Sequence, residues 1–195
     1  MAFTNFDTKE INCKVIYFGP PGAGKTANLR SIFANTSSDV RAGLLEVGGD
    51  DDSSSRFFDF LPISLGHIKD FHLKVHLFTV PSNSLYQSVN SVILKGVDGF
   101  VFVADSRIEA LADNIDHHFQ VRRMLTEAGY NIADLPRVFQ YNKRDLPEVT
   151  PIEILRNELN PSRLPEQEAV AVKSLGTMET LQAMAKQVIK RLANN

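Results

Sequence analysis

A chain of 195 residues with 43% hydrophobic content is long enough to bury one sizeable core, and its length favours a single domain spanning residues 1–195. The formal net charge of -2 and a pI near 6.2 exclude a whole-molecule attraction to nucleic acid or to an anionic membrane. One cysteine, Cys13, excludes an intrachain disulfide and fits a reducing cytoplasm.

In chain order, the opening residues lack the basic-then-apolar character of a signal peptide, and no apolar run approaches the ~20 residues that span a bilayer. Ala2 and the final "KRLANN" offer no acceptor for a lipid, so no direct membrane anchor is expected. The apolar run 11–18 predicts a buried strand, with Cys13 as a packed structural thiol. Glycine and proline then lead into a helix beginning near Lys25.

The polar stretch 35–56 predicts a mobile loop, its aspartates at 50–52 read as solvated rather than metal-binding. Two strands, "RFFDFLP" and "FHLKVHLFTV", are expected to join around Gly66. A helix is expected from about Ser84 to Lys95, then a buried strand at 99–105 whose last residue, Asp105, caps the following turn. A helix from about Glu109 to Ala128 carries His117 and His118, which read as surface or core packing because no partner stands at a metal-ligand spacing. A strand at "RVFQYN", a short helix after Pro151, a strand at "EAVAV" and a helix after Gly176 complete the chain. Strand and helix alternate throughout, which predicts an α/β fold with a mostly parallel sheet covered on both faces.

Gly19-Pro20-Pro21-Gly22-Ala23-Gly24-Lys25-Thr26 matches G-x-x-x-x-G-K-[ST] and stands where such a loop works, after a buried strand and at the mouth of a helix. Backbone N–H groups of this stretch, through Ala27, can surround phosphate oxygens while the helix N-terminus adds positive potential. Lys25 can reach the terminal phosphates and Thr26 can offer its hydroxyl to Mg2+.

Farther on, Asn142-Lys143-Arg144-Asp145 ends a strand, the edge at which open α/β sheets bind ligands. The Asp145 carboxylate can accept hydrogen bonds from guanine N1 and the 2-amino group, whereas adenine lacks those donors. The stem of Lys143 can cover the base plane, and Asn142 can tie this loop to the phosphate loop. A solvated turn could carry the same residues, but their distance from the phosphate loop and their place on another strand end favour GTP/GDP over adenine nucleotides.

These motifs, with "FFDFLP" and "LKGVDGFVFVADS" between them, resemble the Ras-like small GTPase superfamily, and within it the bacterial MglA group of cell-polarity and motility switches. The resemblance covers essentially the whole chain. It implies a P-loop three-layer sandwich with a sheet of about six strands, and guanine nucleotide with Mg2+ at the sheet's carboxyl edge. It assigns the backbone N–H of Ala171 to the guanine oxygen, in a loop where Val170 and Val172 replace the family's serine and lysine.

Departures cluster in the switches. Thr79 matches the MglA group's threonine, but Ser82 and Asn83 stand where that group carries glycine and the water-positioning glutamine. Ser82 keeps an N–H for the γ-phosphate but adds a side chain, and Asn83 carries the same amide on a stem one methylene shorter. Ser54 and Ser55 match the group's arginine finger and its Mg2+-binding threonine, so Ser55 can still ligate the metal while the finger is missing, unless Arg56 substitutes by a shift in register.

Three functions follow. The first is a guanine-nucleotide switch that hydrolyses slowly or needs an activator and recruits polarity effectors or scaffolds through its switch regions. A small roadblock-type GTPase-activating protein is the partner implied by resemblance, and recruitment to a cell pole would depend on partners. The second is a non-hydrolysing GTPase-fold scaffold. The third, a P-loop kinase, would need a helical lid with phosphate-gripping arginines. Residues 105–136 show Arg107, Arg122 and Arg123 but no lid-like insertion.

Overall fold

The computed structural model describes residues 3–48, 56–80 and 92–193. Within them an eight-stranded sheet forms in the order β3-β4-β5-β2-β6-β7-β8, with β1 paired to β2 beside that path. The strands are β1 (Phe3–Asn5), β2 (Glu10–Phe18), β3 (Leu45–Gly48), β4 (Arg56–Ile68), β5 (Phe71–Thr79), β6 (Gly99–Asp105), β7 (Arg137–Asn142) and β8 (Glu166–Glu168). Strands β5, β2, β6, β7 and β8 run parallel, whereas β1, β3 and β4 pair antiparallel. The α/β class and the mostly parallel sheet agree with expectation, and the strand count is larger than six.

The extra strands come from pairing that leaves little local signal. β3 lies inside the stretch read as a loop and takes its hydrogen bonds from β4, with Leu45 and Val47 exposed. At four residues, with one apolar-polar-apolar step, this edge strand is too short for its alternation to stand out from a loop. β1 occupies the first part of β2's other edge, below the point where β6 begins.

Among the described residues, helices α1 (Lys25–Asn35), α2 (Leu111–Glu127), α3 (Ile152–Leu159) and α4 (Thr177–Ala193) cover the sheet. Alternation along the central strands separates two cores. Val15, Tyr17, Val101, Val103 and Val138 face Leu29 and Ile32 of α1 and Leu181, Met184 and Val188 of α4. Ile16, Phe18, Phe100, Phe102 and Phe139 face Val121 and Leu125 of α2 and Leu155 and Leu159 of α3. Cys13 is fully buried in the first core, and burial pushes its thiol up to about 12, as suits a packing residue. His118 packs edge-on against Phe102 and Phe139, and burial among these rings, with Arg122 and Arg137 nearby, pushes it down to about 4.

Two boundaries differ from expectation. The β4–β5 hairpin turns at Lys69 and Asp70, not at Gly66. Pairings Ser64↔Lys74 and His67↔His72 leave Leu65 and Gly66 opposite Leu73 alone, so Gly66, at φ +90°, supplies the positive φ of a bulge inside the strand. The apolar run "EAVAV" is not a strand either. β8 ends at Glu168, and Ala171–Lys173 form a 3₁₀ turn. Ala169, Val170 and Ala171 are apolar because they are buried, and Val172 points out at 81% exposure. Most of the helix expected between Ser84 and Lys95 lies outside the described residues.

Leu125→Ala should destabilise the fold by about 2–5 kcal/mol, because a fully buried side chain leaves a cavity between α2 and the sheet. Urea denaturation followed by circular dichroism would measure it.

Candidate functional site

The phosphate loop bridges the end of β2 and the start of α1. Gly19, Pro20 and Ala23 are buried, Pro21 and Gly22 form its exposed rim, and Ala27 lies partly buried in the first turn of α1. Ala23 N–H donates to the Pro20 carbonyl at 3.2 Å and Asn28 N–H to the Gly24 carbonyl at 3.0 Å, which closes the loop into the helix. Gly24 is left-handed at φ +102°, and a Cβ there would run into the Asn142 side chain, so both conformation and space demand glycine.

Lys25 curls back over the loop, its Nζ donating to the Gly19 carbonyl at 2.8 Å and the Pro20 carbonyl at 2.9 Å. Burial pushes its ammonium down to about 7, with Asp59 acting in the opposite direction. The cation is thus held at the loop in a setting where an added anion would strongly favour its charged form.

Helix α1 is bolted to the sheet by an all-buried polar relay. Asn28 and Gln140 exchange two side-chain bonds of 2.8 Å, and Gln140 also donates to Thr180 Oγ1 of α4 at 2.8 Å. Ser31 and Thr177 share a further buried bond of 2.8 Å. Each group finds its partner on another element, so the helix that carries Lys25 and Thr26 has little freedom to shift.

Thr26 Oγ1 donates to Asp59 Oδ2 at 2.6 Å, and Thr79 Oγ1 donates to the same oxygen at 3.0 Å. Thr79 Oγ1 in turn accepts the Asp59 N–H at 2.8 Å. Asp59 is 1% exposed, and the Phe60↔Phe78 pairing carries it opposite Thr79. The sequence reading missed this carboxylate. Its signal was an aspartate among phenylalanines in "FFDF", an acid facing inward from an apolar strand. Two hydroxyls and a carboxylate form a hard-oxygen donor set suited to Mg2+.

The second loop follows β7. Asn142 is 3% exposed, its Nδ2 donating to the Ala23 carbonyl at 2.8 Å while its Oδ1 accepts the Ala171 N–H at 2.9 Å. One amide therefore joins the phosphate loop, the end of β7 and the 3₁₀ turn. The Ala171 N–H assigned by resemblance to the guanine oxygen is engaged with Asn142 here. Asp145 sits on the surface with its Oδ2 2.7 Å from Lys173 Nζ, and that hydrogen bond holds its carboxyl below the ordinary carboxylate value. Lys143 adopts φ +66° and reaches Asp105.

Of the residues singled out in the sequence, Gly19 through Ala27, Asn142, Lys143, Asp145 and Ala171 gather at the carboxyl ends of β2, β7 and β8. Ser54, Ser55, Ser82 and Asn83 lie outside the described residues, as do Asp50, Asp51 and Asp52. Over 192 residues the chain is 44% identical to the mutual gliding-motility protein MglA of Myxococcus xanthus (strain DK1622), an alignment covering 98% of each chain. It belongs to the MglA family of bacterial small GTPases. No family model matches the chain. The aligned 192 residues take in nearly the whole chain. No helix among the described residues of this MglA-family chain is long and apolar enough to cross a membrane.

Between pH 7 and 10.5, a neutral Lys25 in the fold meets a protonated one in the unfolded chain, so without nucleotide this group makes stability rise with pH across that window. Lys25→Met should remove that component. Urea midpoints of both proteins at several pH values would reveal it as a difference that narrows towards high pH.

Proposed function

We propose that this protein is a guanine-nucleotide-dependent switch of the MglA kind, acting in the cytoplasm on cell polarity or surface motility. The observation that carries this reading is the side chain of Asn142, which couples the phosphate loop to the base-side loops through the Ala23 carbonyl and the Ala171 N–H. A site that distinguishes guanine must hold phosphates and base in one register, and a shared buried amide does that directly.

In this reading the loop of residues 19–27 surrounds the phosphates, its N–H groups donating everywhere but at Pro20 and Pro21, which have none, and Lys25 adds charge beside them. Asp145 accepts the guanine N1 and 2-amino hydrogens, and the Lys143 stem covers the base. Thr26 and Ser55 would hold Mg2+, with Asp59 behind Thr26. The ion, when bound, neutralises charge on the phosphates. Binding of nucleotide would engage Ser55 and Ser82 and so alter the surface offered to polarity effectors, scaffolds or a roadblock-type activator. The relative's name links it to gliding motility, which supports the same biological role here.

Hydrolysis is expected to be slow, because Ser54, Ser82 and Asn83 replace the arginine, glycine and glutamine of the family pattern. The same substitutions favour a second reading, a GTPase-fold scaffold that holds its nucleotide without turnover.

Titration of nucleotide-free protein with fluorescent GTP, competed by GDP and ATP, should give guanine-selective binding in Mg2+. Asp59→Asn should weaken the Mg2+ dependence of that binding without abolishing it. Restoring Arg, Gly and Gln at positions 54, 82 and 83 should raise single-turnover hydrolysis by about a hundredfold or more. Persistence of GTP in the restored protein would favour the scaffold, and equal competition by ATP would defeat the guanine reading.

A further inference from the structure

The carboxylate at the end of β6 has no role in the site as described so far. Asp105 is 1% exposed and lies directly beside Asn142 in the parallel ladder. Its backbone is clamped on both sides by Asn114 of α2, whose Oδ1 accepts the Asp105 N–H at 2.9 Å and whose Nδ2 donates to the Asp105 carbonyl at 2.7 Å. Asn114 is itself fully buried. Asp105 is therefore as firmly placed as any side chain in the protein.

Two cations meet it there. Arg107 donates its backbone N–H to Oδ1 at 3.1 Å, as expected for a turn cap, and lays its guanidinium along both carboxylate oxygens at 2.8–3.1 Å. Lys143 Nζ donates to Oδ2 at 2.6 Å. Burial works to raise the Asp105 carboxyl, but the bonds from Arg107 and Lys143 outweigh it and hold the group below its ordinary value.

The lysine needs such a grip. Its backbone occupies the left-handed region that non-glycine residues rarely adopt, held by Ser106 N–H on the Asn142 carbonyl at 3.0 Å and Arg144 N–H on the Ala169 carbonyl at 3.2 Å. Its four-carbon stem would otherwise sample many rotamers, and a side chain that must be immobilised when a ligand arrives weakens binding.

We infer that Asp105 is a positioning residue for the nucleotide base: with Arg107 balancing its charge and Asn114 fixing its backbone, it anchors Lys143 Nζ so that the lysine stem is laid out before a purine arrives. This inference rests on the guanine-nucleotide reading of the site. Asp105 touches no base itself. It acts through Lys143 alone, so its effect on nucleotide affinity should vanish once Lys143 can no longer be anchored.

The test is a double-mutant cycle with Asp105→Asn and Lys143→Met, read by the dissociation rate and Kd of fluorescent GDP, with the thermal midpoint of each protein measured alongside. Asp105→Asn should weaken GDP by about tenfold, mostly through faster dissociation, the loss expected when one long side chain must be ordered on binding. Lys143→Met should weaken it at least as much, and the double variant should bind no worse than Lys143→Met. A merely structural Asp105 would lower the midpoint and weaken GDP equally with or without Lys143, and that additive result would overturn the inference. Should Asp105→Asn not fold, Lys143→Met remains decisive, because Arg107 still neutralises Asp105 in it: undiminished GDP binding by that variant would overturn the inference too. Failure of the wild-type protein to bind GDP would instead remove the guanine reading on which the inference stands, and the wild-type arm separates the two failures.

Discussion

The site depends on one buried amide. Asn142 can donate and accept at once, and it uses both capacities between segments that are remote in sequence, the Ala23 carbonyl and the Ala171 N–H. Removing either partner would leave a buried polar group unsatisfied, at a cost of about 1–3 kcal/mol. The same side chain stands against Gly24, so the phosphate loop can approach β7 only because no Cβ intervenes there. Distance between phosphate loop and base loop is thereby set by covalent size and hydrogen-bond length rather than by a flexible linker.

Around this bridge, the fold arranges two kinds of polar connection. On the side of α1 and α4, Asn28, Gln140 and Thr180 bond to one another, Asn28 and Thr180 donating also to the Gly24 and Gly176 carbonyls, and none of them carries charge. They hold α1 still, which matters because Lys25 and Thr26 are its first residues. On the side of α2, the polar atoms are charged: Asp105, Arg107 and Lys143 meet at the end of β6. Exposed ion pairs contribute little, but a carboxylate 2% exposed that is shared by two cations is a fixed point rather than a fluctuating contact. The two loops are thus held in different ways, one by neutral side-chain bonds and the other by ion pairs.

Asp59 ties β4 to α1 and β5. It lies on β4, receives hydroxyls from α1 and β5, and stands four residues after Ser55. β4 is long and bulged, paired antiparallel on both edges, and β3 is clasped to α1 by the Arg30 guanidinium on both Glu46 carboxylate oxygens at 2.7 and 3.0 Å. The antiparallel edge is thus mechanically continuous with the site, while the parallel half is anchored by helices on both faces.

The MglA-family resemblance, the α/β class and the phosphate loop were all legible in the residues, because each is written in contiguous sequence: a buried strand, a glycine pattern at a helix mouth, apolar runs alternating with helical periods. The position of Lys143 and Asp145 just past a strand end was legible for the same reason, as a contiguous tetrapeptide. Local pattern failed where the partner is distant. β1 and β3 exist because β2 and β4 present unpaired edges, and the hairpin turns at Lys69 and Asp70 rather than Gly66 because the pairings His67↔His72 and Ile68↔Phe71, not glycine content, decided it. The run at 168–172 looked like a strand because burial and strand formation draw on the same residues. Tertiary structure alone decided that Asp59 faces Thr26, that Asp105 holds Lys143, and that Asn142 joins Ala23 to Ala171. Each is a meeting of polar groups 29 to 119 positions apart, and hydrogen bonding over such separations leaves no periodic trace in the chain.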